Sequence, residues 1–325
     1  MTADWKIIGH HTGEMIVTID GGEWAAALKE AKDRLEERSK QVGTSTDEIE
    51  RSAIYGVALN LNIKKIFAEG TVMLHLNPVS EPKIDVKKID AEGAVVSFIF
   101  SVKPCFDIPD LSLLKYVIKE PQVSNEEIES VIEEMKQTFI KKYSSLPDDM
   151  NDFAADMNIE GVNNLSDLKR SIYELLLDDK QQMAQNDADD KLVDDLCDLV
   201  ELDAPDGMVD METDSIICGR KDELASRNIS FEEYLKSIKM NEEQYKESLK
   251  PEAAKNIKAR LIFEKIAEEN ALLPDESDID KEYEMMGRTY KMDPDDLRKV
   301  FPEDDMRYQK RLTMAFDHVK KMIMQ

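Results

Sequence analysis

The chain has 325 residues, of which 42% are hydrophobic, and this is enough apolar material for more than one core. Its 69 acidic and 43 basic residues give a formal net charge of −26, which disfavours nucleic acid as a direct partner. The three cysteines lie far apart without a Cys-x-x-Cys pair, so we expect reduced thiols. The sequence shows neither a signal-peptide pattern nor an apolar run of membrane-spanning length, which predicts a cytoplasmic protein that does not bind a membrane.

The first part of the chain alternates strand-like and helix-like patterns. Residues 14–19 predict a strand, and apolar residues at helical spacing over residues 24–35 predict a helix. Ser45 and Glu48 form a capping-box pattern ahead of a second amphipathic helix over residues 49–61.

Two further strands are predicted in this region. One covers residues 71–76, and the other covers residues 95–103, where apolar and polar residues alternate. We therefore expect an α+β domain over residues 1–119, with two helices on a small antiparallel sheet.

The remaining chain has helical periodicity. Ser124 and Glu127 form a capping box at the start of a helix, which we interpret as a linker over residues 120–145. Residues 146–325 predict a mainly α-helical domain. Within it, a Ser166 cap starts a helix that would be about 50 Å long if it continued to Val200.

Shorter helices follow in the last third of the chain. Ser230 and Asn241 are predicted as their N-caps, and Pro251 is predicted to start, kink or restart a helix because proline lacks a backbone donor. Beyond this proline, apolar residues cover most of the helix circumference, so this helix needs neighbours on several sides.

Residues 245–273 read YKESLKPEAAKNIKARLIFEKIAEENALL, and this segment resembles the C-terminal domain of bacterial trigger factors. The order of strands and helices in the first region is similar to the ribosome-binding domain of that family. The resemblance implies an α+β N-terminal domain, a linker helix and a helical C-terminal domain with extended arms. It covers nearly the whole chain, with two departures.

The first departure concerns ribosome docking. In the family, the turn between the first two helices carries a Gly-Phe-Arg-x-Gly-Lys-x-Pro signature, whereas residues 41–48 here read QVGTSTDE. This turn has neither Phe-Arg nor Gly-Lys. We therefore assign no ribosome-docking residue, and ribosome association stays open.

The second departure concerns catalysis. The family inserts a peptidyl-prolyl isomerase domain after the linker helix, but here Tyr143 passes through two serines directly to residues 146–148. So few residues cannot hold that domain. The resemblance therefore implies a protein that is not an enzyme; a residual isomerase activity is a minor alternative that a proline-peptide assay would test.

The sequence gives only weak signals for metal binding or catalysis. The carboxylates in residues 187–195 lack the glycine turn of a calcium loop and fit a solvated helix face. His75 and Cys105 could form a base and nucleophile pair, but no third orienting group is identifiable. We predict no catalytic residue, no metal site and no cofactor.

The resemblance implies an ATP-independent chaperone that holds unfolded or nascent polypeptides. The 17 methionines of the chain are compatible with this, because flexible thioethers accept varied apolar partners, although for any single methionine the favoured interpretation is that it fills a gap between helices. The alternative is a dedicated module that clasps one folded partner protein, and homodimerisation also stays open. The candidate client-binding residues are Met208, Met211, Ile216, Ile217, Tyr234, Met240, Tyr283, Met285, Met286, Tyr290 and Met292.

Overall fold

The structure is a computed structural model that describes residues 1–42 and 50–324. Its N-terminal part contains a four-stranded antiparallel sheet in the order β1-β2-β4-β3. The strands are β1 (Thr2–Gly9), β2 (Thr12–Asp20), β3 (Lys83–Ile89) and β4 (Gly93–Ser101). The strands predicted over residues 14–19 and 95–103 are confirmed as β2 and β4, while β1 and β3 were not predicted.

Two helices, α1 (Gly21–Val42) and α2 (Arg51–Met73), pack on the sheet. Alternate residues of β2 and β4 form the buried face, and Trp24 of α1 is buried against it with its indole Nε1 donating to the Asp90 carbonyl at 2.8 Å. The predicted α+β class is therefore confirmed. The Ser45 and Glu48 capping box lies outside the described residues.

The strand predicted over residues 71–76 is wrong. Thr71 belongs to the last turn of α2, where its hydroxyl donates to the Ala68 carbonyl at 2.9 Å. A Cβ on the neighbouring Gly70 would lie 3.0 Å from the Met15 side chain, so this end of the helix packs closely on the sheet. The strand preference of Thr and Val is overridden by this packing.

The rest of the described chain is mainly helical, as predicted. The helices are α3 (Asn125–Tyr143), α4 (Met150–Asp156), α5 (Leu165–Leu199), α6 (Asp206–Ser226), α7 (Phe231–Ser237), α8 (Glu242–Glu269), α9 (Glu276–Tyr290), α10 (Pro294–Val300) and α11 (Glu303–Ile323). A short 3-10 helix, Leu111–Leu113, precedes them. In the part of the chain that the structure describes, none of these helices combines the length and apolar character needed to cross a membrane.

Most of the predicted helix starts are confirmed. Ser124, Ser230 and Asn241 each accept a hydrogen bond from the backbone three residues on, in complete capping boxes. The Ser166 cap is wrong, because Asn164 instead accepts from the Asp167 amide at 3.0 Å and places Ser166 inside α5.

Pro251 lies inside α8, which begins at Glu242, so the alternatives that it starts or restarts a helix are wrong, while a kink at this proline stays a prediction. The missing proline donor is tolerated within a helix whose other side chains are well buried. Eight residues of α8 are buried, and seven of them, from Ala253 to Ala267, lie beyond the proline.

The chain divides into two compact units, each built from two separate stretches. The first unit contains residues 1–108 and 200–312, and the second contains residues 109–199 and 313–325. These stretches do not follow the boundaries at 119 and 145 taken from the family resemblance, which stay a prediction.

The second unit has its own apolar core between α3, α4 and α5. The helices of this unit also form polar contacts. Lys180 of α5 donates to the Glu127 carboxylate at 2.6 Å and lowers the pKa of Glu127 to about 2. A second cluster joins Asp189 to the Tyr116 hydroxyl at 2.7 Å and to the Lys320 ammonium at 2.8 Å.

Candidate apolar groove between α6 and α8

The start of α6 is fixed on the sheet of the first unit. The Asp206 amide donates to the His10 carbonyl at 3.2 Å, and the His10 amide donates to the Asp206 carboxylate at 3.0 Å. The next amide, of Gly207, donates to the Ser101 hydroxyl at 2.8 Å. A Cβ on Gly207 would lie 2.6 Å from the Ser80 hydroxyl oxygen, so only glycine permits this close approach.

This docking leaves an open groove along α6 and α8, here called the α6–α8 groove. It consists of two adjoining cavities of about 460 and 600 Å³ that share Asp214 and Lys246. The first reaches the end of β4, and the second continues between the helices. The groove is lined by Thr12, Ser80, Glu81, Lys83, Ile99, Phe100, Ser101, Asp206, Gly207, Asp210, Met211, Asp214, Ile217, Cys218, Lys221, Glu242, Glu243 and Lys246.

Apolar side chains from two elements, α6 and β4, contribute to this lining. Met211 of α6 is 56% exposed, and the exposed Cys218 lies two turns further along the same helix. Ile99 of β4 and Ile217 of α6 add branched aliphatic surface. Such a surface can bury apolar groups of a partner without demanding one fixed geometry.

The charged lining of the groove is mainly acidic. Six carboxylates face three lysines, and each lysine already has an acidic partner. The partners are Asp210 for Lys83, Glu242 for Lys221 and Asp214 for Lys246. The surplus negative charge favours basic over acidic partners.

The field of these carboxylates reaches a neighbouring residue of α8. The pKa of Lys250 is raised chiefly by its hydrogen bond to Glu247, and attraction from Asp210 and Asp206 adds to that effect. The end of the groove near β4 is therefore negatively polarised.

The candidate residues of α6 divide between this groove and the interior. Met211 and Ile217 line the groove, and Ile216 is partly buried. Met208 is buried where α6 meets the sheet, and only a small edge of Ile217 reaches solvent because it packs against Leu235 and Tyr245. Met208 and Ile217 are therefore largely inaccessible to solvent, and their assignment as client-binding residues stays a prediction.

Tyr234 and Met240 lie in and after α7. The Tyr234 ring packs edge-on against Tyr245 at 5.7 Å and stacks on Phe231 at 6.3 Å. The bond between the two tyrosine hydroxyls raises the pKa of Tyr234, with burial as a further cause. Met240 follows this aromatic cluster and is exposed.

The candidates in α9 and just beyond it form a second group. Tyr283 is fully buried and its hydroxyl donates to the Phe301 carbonyl at 2.7 Å, and its assignment as a client-binding residue stays a prediction. Met286 packs against the small apolar core that Tyr283 forms with Ile279, Leu297 and Met306. Met285, Tyr290 and Met292 are exposed at the C-terminal end of α9, outside the groove.

Several groove residues were missed from the sequence. Ile99 is the one apolar residue between Ser97 and Ser101 on the polar face of β4, and this irregularity was the available signal. Gly207 lies two residues after Pro205, a combination that indicates only a turn. The pairing of Asp214 with Lys246 joins residues 32 positions apart and left no local pattern.

The two residues considered as a base and nucleophile pair lie in the same region of the structure. His75 and Cys105 both line a separate cavity of about 590 Å³ in the first unit, together with Lys103 and Leu261. Within residues 1–42 and 50–324, no group of three or more His, Cys, Asp or Glu side chains has an arrangement that could hold a metal ion.

Comparison with known families gives two matches from one family. The N-terminal model of bacterial trigger factor protein matches residues 1–135, and the model of the bacterial trigger factor C-terminus matches residues 164–321. Together the two matches account for most of the chain.

Individual relatives give the same result. The trigger factor of Halalkalibacterium halodurans is 19% identical over 429 aligned positions, covering 98% of this chain and 99% of the relative. Because this alignment is longer than the 325-residue chain, more than a hundred of its positions are gaps in this chain. The trigger factor of Carboxydothermus hydrogenoformans is 28% identical over 181 residues, covering 54% of this chain and 42% of the relative. The chain thus spans less than half of that second protein.

A solved structure has a similar fold. It is described as "Promiscuous Substrate Recognition in Folding and Assembly Activities of the Trigger Factor Chaperone" and is 14% identical in sequence. The likeness covers 99% of this chain and 100% of that one, with a TM-score of 0.56.

Proposed function

Because this chain belongs to the trigger factor family, we propose that it is an ATP-independent chaperone that holds unfolded or nascent polypeptides through distributed apolar contacts. The observation that carries the proposal is the α6–α8 groove, which is open, apolar at Met211 and Ile99, and acidic around them. An unfolded segment with apolar and basic side chains fits this chemistry. We expect the activity in the cytoplasm.

The energetics of such a surface suit holding and release. Covering roughly 600 Å² of apolar area contributes on the order of 15 kcal/mol before costs. Ordering a flexible client and losing its free motion removes roughly two thirds of that, which leaves about micromolar affinity. Contacts of this strength exchange without nucleotide hydrolysis.

The proposal includes no catalytic step. Only six residues separate the end of α3 at Tyr143 from the start of α4 at Met150, and an isomerase domain does not fit there. We therefore expect no acceleration of prolyl isomerisation in a proline-peptide assay. A measurable rate enhancement would contradict this part of the proposal.

The holding activity is tested by dilution of a chemically denatured client into buffer with and without the purified chain, in the absence of nucleotide. At near-stoichiometric ratio we expect slower light-scattering growth for several unrelated clients. Unchanged aggregation of every client would refute the proposal. A crosslinking survey that recovers one dominant folded protein would instead indicate a dedicated assembly module.

Two properties of the family are left open by the residues of this chain. The turn that carries the ribosome-docking signature in relatives falls at residues 41–48 here, and residues 43–49 lie outside the described structure. Cosedimentation with ribosomes, beside a relative that has the signature, measures whether docking is retained. Sedimentation at several protein concentrations measures whether the chain forms a homodimer.

A further inference from the structure

Helices α8 and α11 meet through a polar contact in the first unit. The Tyr308 hydroxyl of α11 donates to the Glu264 carboxylate of α8 at 2.5 Å. Arg260 lies one turn before Glu264, and its charge acts on the Tyr308 hydroxyl, whose pKa is raised by burial and by Glu264. Arg311 lies one turn after Tyr308 on the same face of α11. Helical spacing therefore places each arginine within one turn of a residue of the Tyr308–Glu264 contact.

Both arginines lack an acidic partner. Each is partly buried, its Nε atom is buried without a hydrogen-bond partner, and no hydrogen bond or ion pair joins either guanidinium to another described residue. Elsewhere the chain pairs its arginines or exposes them: Arg38 and Arg51 are exposed. The paired arginines are Arg34, Arg170, Arg220, Arg227, Arg288, Arg298 and Arg307.

This arrangement is costly without an anion. A guanidinium stays protonated in a protein, so it cannot escape burial by losing its charge. Partial burial without a partner forfeits hydration, and two like charges in one region repel. The carboxylate at this contact, Glu264, already accepts from Tyr308 and lies 3.8 Å from the Lys103 ammonium. A chain with a net charge of −26 nevertheless keeps both arginines here without an acid of their own.

We propose that Arg260 and Arg311 form a binding site for an oxyanion, a ligand whose carboxylate or phosphate oxygens accept hydrogen bonds from both guanidinium groups. The planar fork of N–H donors matches either group in a bidentate geometry. This site goes beyond the proposed function, because its chemistry is opposite to that of the acidic α6–α8 groove. The ligand is either a small free anion or the acidic side chains of a polypeptide.

The first test uses inorganic phosphate as the probe and thermal unfolding of the full chain as the readout. At constant ionic strength, phosphate is expected to raise the Tm of the wild-type chain above its value in chloride, since a ligand that binds the folded state stabilises it. Arg260→Gln and Arg311→Gln are expected to weaken apparent phosphate affinity about tenfold or more, because each removes charged hydrogen bonds. Arg51→Gln is the matched control, since Arg51 is exposed and is expected to keep the wild-type shift.

The same variants, measured without phosphate, test whether the unpaired arginines destabilise the folded chain. Removing one unpaired charge is expected to leave Tm in chloride equal to or above that of the wild type. A purely structural arginine would instead lower it, and a variant that fails to fold would likewise overturn the proposal. A phosphate shift of wild-type size in both variants would also overturn it.

A second arm identifies the source of the anion. Fluorescence anisotropy with a labelled Glu-rich peptide and a matched Gln-rich peptide separates carboxylate recognition from nonspecific association. Preference for the Glu-rich peptide that is lost in Arg260→Gln and Arg311→Gln supports a polypeptide carboxylate as the ligand. Phosphate binding without peptide binding supports a small free anion. Binding of neither probe to the wild-type chain refutes the site.

Discussion

The α6–α8 groove and the small core of α9, α10 and α11 contain the same residue types but use them differently. In the groove, Met211 is 56% exposed beside an open cavity. In the small core, Tyr283 is fully enclosed with Ile279 and Leu297. Both regions supplied candidate residues from the sequence, so residue type alone did not separate a binding surface from an interior.

The difference lies in which face of each helix is covered by its neighbours. In the small core, α9 has α10 and the start of α11 against one face, and Tyr283 satisfies its hydroxyl on a backbone carbonyl. Along α6, the opposing α8 and α7 cover Ile217, while Met211 points to the gap that the docking of Gly207 on the sheet leaves open. Exposure is thus decided by which face of a helix lacks a partner.

The largest expected effect comes from emptying the small core. Tyr283→Ala should destabilise this part of the chain by about 3–5 kcal/mol, because it leaves a cavity and an unsatisfied carbonyl. Urea unfolding, with hydrogen exchange of α9 and α10 as the local readout, measures the loss. Tyr283→Phe keeps the ring and should cost only about 1 kcal/mol. Equal losses in the two variants would contradict the cavity explanation.

A smaller effect is expected at the docking point of α6. Gly207→Ala places a Cβ within 2.6 Å of the Ser80 hydroxyl oxygen and should cost about 1–3 kcal/mol in thermal unfolding. Gly219→Ala in the same helix is the matched control, since nothing lies within 4 Å of its Cβ position. That control should be neutral or stabilising by up to about 1 kcal/mol. Similar destabilisation by both variants would show that the close approach is not the cause.

The two regions can be compared directly at a pair of equally exposed methionines. Met211 in the groove and Met285 on α9 are each 56% exposed, so aspartate at either should change stability by about 0.5 kcal/mol or less. If the groove holds clients, Met211→Asp should weaken client binding about tenfold, whereas Met285→Asp should leave it nearly unchanged. Aggregation suppression titrated against chaperone concentration measures both. Equal loss would place the binding surface elsewhere or spread it over both regions.

The smallest effect is expected from the charged lining. Asp214→Asn breaks the exposed ion pair with Lys246 and should change stability by less than about 1 kcal/mol. It also reduces the acidic surplus, so binding of a basic peptide should weaken by about twofold at low salt and converge with wild type at high salt. Asp296→Asn, which breaks an exposed pair with Lys299 outside the groove, is the control. A salt-independent difference would argue against electrostatic attraction in the groove.

Local patterns predicted much of the fold. Capping boxes at Ser124, Ser230 and Asn241 fixed three helix starts because their hydrogen bonds join residues only three apart. Propensity failed where packing competed with it: Thr71 and the residues after it favour a strand locally, but their contact with the sheet keeps them in or beside α2. In the exposed edge strand β3, Ile84 and Val86 alternate with charged residues, but this short pattern breaks at Lys88 and was not recognised as a strand.

The candidate site was predicted less completely for a related reason. A groove depends on residues distant in sequence, such as Asp214 and Lys246, and on the contact between Gly207 and Ser101. Helical periodicity indicates which residues share a face but not which face stays open. Residue type therefore proposed the exposed Met211 and the buried Tyr283 on the same grounds.

The division of each unit between two distant stretches has a consequence for how the chain matures during synthesis. The sheet with α1 and α2 needs only contacts within residues 1–108, but the first unit also needs residues 200–312. Contacts so far apart in sequence close slowly, and their second half leaves the ribosome long after the first. The walls of the groove are therefore assembled late, so a nascent copy of this chain passes through a period in which its own apolar surfaces await their partners.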